Sequence, residues 1–311
     1  MDKDVICDYG NLYKAYKKAK SGKKHNSSTA KFEAMSLEGL HMLKEQLENQ
    51  TYRMNPYNEF KVYEPKERVI KSCSFKDKVV QHCLCDNILL PRLKYEFIKT
   101  NYAGQLGKGT HFGMDCLKEH MLEFYNQHGL DGWILKCDIT KFFYQIGHEV
   151  LKDIVDYYFD DEYTKWLNHL YIDSTAGLGL PLGNQVAQVY ALLMLNGLDH
   201  FITGELGIEL YGRYMDDFYL IAPSKEYLKH CLDLNMIKCV KGFVEIDGSK
   251  SEVRAETVVL LKYLREYISE DELEEAIENS KKTVDEIEAE VREVKKKIIA
   301  EILREVLQED K

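Results

Sequence analysis

Leu210-Tyr211-Gly212-Arg213-Tyr214-Met215-Asp216-Asp217-Phe218-Tyr219-Leu220-Ile221-Ala222 sets two consecutive acids between two short apolar runs. Leu210 to Arg213 and Phe218 to Ala222 read as strands, and Tyr214 to Asp217 falls at the turn between them. An Asp-Asp pair at a turn is by default ordinary solvated turn chemistry. A second segment changes its weight. Trp133-Ile134-Leu135-Lys136-Cys137-Asp138 is another short apolar strand, and it too ends on an acid. Adjacent strands lie about 4.8 Å apart, so a sheet holding all three strands brings Asp138 to Asp216 and Asp217. Three acids at one point suit Mg²⁺, which takes a few carboxylates together with phosphate oxygens and water.

The surroundings fill in from there. Leu178 to Gly183 is a Gly/Pro loop, and Val186 to Leu198 an apolar helix. Lys76 to Leu90 and residues 149–170 carry helical spacing, with Val79, Val80, Cys83, Leu84 and Ile88 on one face of the first. Phe60 to Glu64 alternates as a strand does. Residues 10–20 form a short basic helix, Ser21 to Thr29 a polar linker, and residues 31–50 an amphipathic helix with Phe32, Met35, Leu40, Leu43 and Leu47 on its buried side. The fold class expected is α+β: an antiparallel sheet with helices packed on one face.

Charge is unevenly spread. The net charge is −10, yet residues 1–100 carry +6, residues 101–250 carry −9 and residues 251–311 carry −7. A basic front can hold a phosphate backbone despite the acidic total. The eight cysteines include no Cys-x-x-Cys pair. They are expected to be reduced, mostly buried thiols of a cytoplasmic protein. No apolar run is long enough to span a membrane.

Five blocks stand in a fixed order. They are Arg68-Val69-Ile70 with Phe75-Lys76-Asp77-Lys78-Val79-Val80-Gln81-His82; Tyr102-Ala103-Gly104-Gln105-Leu106-Gly107-Lys108-Gly109-Thr110-His111; Lys136-Cys137-Asp138-Ile139-Thr140-Lys141-Phe142-Phe143; Gly179-Leu180-Pro181-Leu182-Gly183-Asn184-Gln185-Val186-Ala187-Gln188; and Tyr214-Met215-Asp216-Asp217-Phe218. Together, over roughly residues 60–235, they resemble reverse transcriptases. The resemblance implies the fingers and palm of a right-hand polymerase and RNA-templated DNA synthesis with two Mg²⁺ ions, Mn²⁺ being an alternative. Its partners would be template RNA, primer and deoxynucleoside triphosphates.

Carried over by position, Asp138 and Asp216 resemble the principal metal ligands. Asp217 resembles the second acid of the pair, and the Ile139 carbonyl completes one coordination sphere. Phe143 resembles the steric gate that excludes a 2′-hydroxyl. Adjacent strand residues point opposite ways, so one of Phe142 and Phe143 is expected to be core and the other the gate. Lys66 and Arg68 resemble the cations that clamp the triphosphate, for which Arg offers a bidentate fork; the alternative is a surface pairing with Glu64 and Glu67. Gln188 resembles the polar helix residue beside the template–nucleotide pair. Lys108 is a candidate template contact, and Lys238 a candidate general acid for pyrophosphate.

An aliphatic Leu182 before Gly183 and an Ala187-Gln188 ending resemble the enzymes of diversity-generating retroelements. That implies error-prone copying and a small basic accessory protein. Phage-defence and group II intron-like relatives stay open. A leucine cannot donate a hydrogen bond near the nascent pair, which weakens discrimination against mispairs.

The organisation expected is an N-terminal helical extension over 1–59, fingers and palm over 60–235, an atypical thumb or connection remnant over 236–268, and an acidic helix over 269–311. Leu234 to Lys238 resembles a remnant of the family's Leu-Asn-Lys segment. In the tail Leu273, Ile277, Ser280, Val284, Ile287, Val291, Val294 and Ile298 keep a heptad spacing. They fit one long helix on its own protein as well as a coiled coil with a partner or a second copy. Two other function classes compete: a palm relic that binds RNA or protein without synthesis, and another palm enzyme such as a nucleotide cyclase or RNA-dependent RNA polymerase. The Phe143 gate argues against ribonucleotide substrates.

Overall fold

The computed structural model describes residues 1–22, 27–63, 67–129, 132–139, 141–231 and 253–260, the last stretch as backbone alone. Lys66, Thr140, Lys238 and the heptad segment 269–311 lie outside the described residues.

The chain opens with helices α1 (Asp2–Ile6), α2 (Tyr9–Lys20), α3 (Ser27–Ala34) and α4 (Ser36–Glu48). A hairpin follows, β1 (Asn58–Val62) with β2 (Arg68–Ser72), then α5 (Phe75–Leu84) and α6 (Leu90–Leu93), joined through a π-helical turn over Cys85–Leu89. Pro91 accounts for that turn. Its ring clashes with the carbonyl four residues back and it donates no N–H, so the helix widens just before it. Next come α7 (Thr110–His128), β3 (Trp133–Ile139), the single turn α8 (Phe142–Gln145), α9 (His148–Tyr158), α10 (Glu162–Ile172), α11 (Gln185–Met194) and α12 (Asn196–His200). The hairpin β4 (Tyr211–Tyr214) and β5 (Asp217–Ala222), α13 (Lys225–His230) and β6 (Val253–Leu260) complete the described chain.

The central sheet is antiparallel, in the order β4-β5-β3-β6. Alternation along β3 sends Leu135, Cys137 and Ile139 into the main core, with Phe218, Leu220 and Tyr211 beside them. That core runs unbroken from Ile6 through α4, α5 and α11 to Cys231. The N-terminal helices share it, so residue 59 marks no core boundary.

Helices were expected on one face only. The structure corrects this: α7 covers part of the other face, where Phe124 packs with Tyr102, Tyr219 and Ile221. Gly113 permits that approach, since a Cβ there would lie 2.2 Å from the Tyr102 ring. Helix 31–50 is also corrected. It breaks at Met35, which is 59% exposed rather than buried. The break lets Phe32 stack on Tyr16 and Phe75 while Leu40, Leu43 and Leu47 enter the core. The 149–170 segment is likewise two helices, α9 and α10, parted at Phe159–Asp161. Strand β6 pairs along β3 from Trp133↔Leu260 to Ile139↔Val253, so the palm sheet reaches beyond residue 235 into the segment expected to be thumb.

The fingers are fastened at Asp77. Its carboxylate accepts from Tyr52 Oη at 2.6 Å, the Asn55 amide at 3.1 Å and Ser74 Oγ at 2.7 Å. Ser74 in turn caps α5 by accepting from the Asp77 amide. The seven described cysteines are buried free thiols, and among the described residues no helix is long and apolar enough to cross a membrane.

Candidate active site

Residues β4 and β5 meet in a two-residue turn, Met215-Asp216, closed by the Tyr214↔Asp217 pair. Met215 takes φ +56. A positive φ at the first loop position gives the sign pattern of a type II′ turn, which matches the twist of the strands but normally calls for glycine there. Three non-glycine residues among those described have positive φ, and two of them, Met215 and Lys141, follow or precede the candidate acids closely. Such strain persists where the surroundings impose it.

The last ladder pair between β3 and β5 is Cys137↔Phe218. One step further on each strand stand Asp138 and Asp217. They therefore sit opposite each other, on the face away from the main core. Asp138 and Asp216 are half-buried and Asp217 is exposed. Burial first, and then the charges of Asp138 and Asp217, push the Asp216 carboxyl up to about 6 against a backbone hydrogen bond and the Arg68 guanidinium, which pull it down. The three acids thus share one electrostatic site. Among the described residues no trio of His, Cys, Asp or Glu has closed into a finished metal cage.

The donor set nevertheless fits a hard divalent cation. Crowded carboxylates, one of them partly desolvated, are what such an ion neutralises. Asp138, Asp216 and Asp217 would hold it, and the backbone carbonyl of Ile139, next to Asp138 in β3, would be a further oxygen donor. A bound divalent ion would supply charge neutralisation at a reacting phosphate.

Phe142 is fully buried, Phe143 is half-buried, and their rings lie edge-on at 5.6 Å. Phe143 packs against the same core as Phe142, which corrects the expectation that the two rings point to opposite faces. These residues form the helical turn α8 rather than a strand, entered through Lys141 at φ +53. The Gly179 loop lies hard against α8. Leu180 N donates to Phe143 O at 2.6 Å, and Gly179 N to Ile146 O at 2.9 Å. His148 Nε2 and Thr175 Oγ1 both donate to Gly179 O, at 2.9 and 2.8 Å.

The same loop is tied to the fingers. Lys71 N donates to Leu182 O at 3.2 Å, and a Cβ on Gly183 would sit 3.1 Å from Ile70 Cγ2. Strand β2 begins at Arg68, whose positive charge is the smallest of the influences on Asp216 and favours its ionised form. Glu67 pairs with Lys61. Leu182 is half-buried; Gln188 is the exposed position of the otherwise buried run Val186 to Met194. Lys108, the candidate template contact, is engaged with its own loop. Its ammonium donates to the carbonyls of Ile98, Lys99 and Asn101, and burial lowers its proton affinity. It clasps the 98–109 loop.

Known proteins bear on this site. The profile of the family described as reverse transcriptase (RNA-dependent DNA polymerase) matches residues 61–300, well over half of the chain. The chain belongs to the reverse transcriptase family. Its match extends past β6, in agreement with a palm sheet that continues beyond residue 235. Similar solved structures include Candida albicans telomerase with a fragment of telomeric RNA (13% identity, TM-score 0.46, covering 68% of this chain and 44% of that one). Truncated apo telomerase of Candida tropicalis is similar at 12% identity and TM-score 0.44, covering 70% and 55%. The partial Cas6-RT-Cas1–Cas2 complex is similar at 15% identity and TM-score 0.43, covering 75% and 42%. The chain spans about half the length of these relatives. Among curated proteins no sequence match was found.

Sequence reasoning missed Arg213, Asp199 and His148. Arg213 was visible only as a charged residue inside an apolar strand.

Proposed function

We propose that this chain copies an RNA template into DNA by nucleotidyl transfer, with Asp138, Asp216 and Asp217 holding two Mg²⁺ ions. The observation that carries the reading is the electrostatic union of three acids from two separate segments, centred on Asp216. Arg68 is the clamp for the triphosphate, Phe143 the floor under the sugar, and Gln188 the polar neighbour of the nascent pair. Lys66 would join Arg68 in the clamp. The test is extension of a DNA primer on an RNA template with Mg²⁺. Extension by wild type and none by Asp216→Asn supports the reading; no extension by either sinks it in favour of a non-synthetic RNA-binding or partner-binding protein, and equal extension by both removes Asp216 from the reaction.

Phe143→Val should enlarge the space beside the sugar. We expect ribonucleotide incorporation, relative to deoxynucleotide, to rise about tenfold or more, because a pocket that excludes by shape alone discriminates by roughly that much. Unchanged discrimination would remove Phe143 from the gate.

Leu182 supports a finer reading, error-prone copying of a retroelement template RNA in the cytoplasm with a small basic accessory protein. Leu182→Gln should then lower misincorporation at template adenines severalfold. Wild-type accuracy that is uniform over the four template bases would favour a defence or intron-type enzyme instead.

A further inference from the structure

Beneath the acidic turn lies a charged pair fully shut off from water. Arg213 and Asp199 are both 0% exposed. The guanidinium is a two-pronged fork on the carboxylate: Nε donates to Asp199 Oδ1 at 2.6 Å and Nη2 to Oδ2 at 2.5 Å. The remaining nitrogen, Nη1, donates to the Met215 carbonyl at 2.8 Å. Tyr211 Oη and Asn101 Nδ2 complete the carboxylate at 2.6 and 3.3 Å. The Arg213 backbone is held as well, its amide by Thr100 O and its carbonyl by the Tyr102 amide.

A buried ion pair is a poor way to gain stability, since desolvating two charges offsets most of their attraction. Its geometry here points to another use. Met215 is the residue with the strained positive φ, and its carbonyl is the one atom of the turn that the fork touches. The loop beneath leaves room for the same residue: Gly104, at φ +59, would put a Cβ 3.5 Å from Met215 Cε.

We propose that Arg213, oriented by Asp199, is the positioning residue that holds the Met215-Asp216 turn in its strained shape and so fixes where Asp216 and Asp217 sit. Arg is required because one planar group must grip a carboxylate with two nitrogens and reach a carbonyl with the third. A lysine can answer the carboxylate but cannot do both. The catalytic consequence rests on the polymerase reading above; the holding of the turn does not.

The test uses the full chain and two variants. Arg213→Met with Asp199→Leu removes both charges together, which buried pairs commonly tolerate. Arg213→Lys keeps the charge and loses the fork, and it stands in if the double variant does not fold. Amide hydrogen exchange is read over residues 211–222, with primer-extension kcat and nucleotide KM per folded molecule. The expected result for both variants is exchange at Asp216 and Asp217 at least about tenfold faster while α5 and α11 stay protected. With it, kcat should fall at least about tenfold with little change in nucleotide KM, since the defect is in the acids and not in the clamp. If Arg213→Lys restores both turn protection and kcat, the pair is only structural and the proposal is overturned. Unchanged exchange at the turn overturns it whether or not the wild type extends primers. Loosened exchange with kcat within about threefold of wild type overturns the catalytic part. A wild type without synthesis, alongside a loosened turn in the variants, sinks the polymerase reading and leaves the anchor standing.

Discussion

Asp216→Asn is expected to lose primer extension by about 10³-fold or more while melting at a higher temperature than wild type in the absence of divalent metal. The first half follows from the proposed role of this carboxylate as a metal ligand. The second follows from the sign of the Asp216 shift. Its folded-state proton affinity corresponds to about 6, above the ordinary 3.8, chiefly because it is buried and then because Asp138 and Asp217 repel its charge. The folded state therefore binds the proton more tightly than the unfolded state. Protonation stabilises the fold at low pH, and that stabilisation is lost as pH rises from about 4 through about 6. At neutral pH the ionised group burdens the metal-free fold. Two pKa units correspond to about 3 kcal/mol, and partial exposure reduces this to about 1–2 kcal/mol. Relief in the Asn variant should raise Tm by about 2–5 °C. Thermal melts in chelator from pH 5 to pH 8 read this as a gap between variant and wild type that widens up to about pH 7 and then levels off. Added Mg²⁺ should raise the wild-type Tm and not that of the variant. A variant that melts below wild type at pH 7.5 in chelator would show that Asp216 is not a strained acid awaiting a cation.

That conflict between local comfort and chemistry explains what could be read from the sequence. Strand periodicity and acids at strand ends are local signals, so β3, β4, β5 and the Tyr214–Asp217 turn were legible, and with them the candidate metal ligands. The Gly179 loop and α11 were legible from glycine, proline and an unbroken apolar run. Helix α7 was not, because Thr110–His128 buries only Gly113, Cys116 and Phe124 deeply and offers little apolar periodicity. Strand β6 was hidden by the expectation of a thumb, although Val253 to Leu260 carries strand-forming residues. The Arg213–Asp199 pair was invisible for a different reason. Charged side chains are read as surface by default, and only the folded chain shows that β4 and α12 bring these two together without water. Lys108 was legible as a basic residue in a glycine-rich loop, but its hydrogen bonds to the loop's own carbonyls were not.

Gly179→Ala should produce the second large loss, in stability and specificity together. Gly179 has φ +88, and an added Cβ would lie 2.8 Å from both Cα and O of Tyr144 and 2.9 Å from the Phe143 carbonyl. These are backbone atoms of α8 and cannot swing aside as a side-chain tip can. Either the loop retreats and gives up Leu180 N to Phe143 O and Gly179 N to Ile146 O, or α8 moves and takes Phe143 with it. The left-handed conformation alone costs an alanine about 1 kcal/mol, and two weakened hydrogen bonds add about 1 kcal/mol each. A total near 3 kcal/mol lies at the severe end for one substitution. The loop also carries Leu182 and leads to Gln188, so a shift of about 1 Å between loop and α8 should lower kcat/KM for deoxynucleotides about 10²-fold. On the proposed role of Phe143 as the floor under the sugar, nucleotide KM and the deoxy-to-ribo preference should both change. Gly177→Ala supplies the control: φ is +80 there, but no atom lies within 4 Å of the added Cβ. It bears the conformational cost without the collision. Matching losses of Tm and kcat/KM in the two variants would mean that backbone strain alone matters, and that the contact between the Gly179 loop and α8 does not set the shape of the nucleotide site.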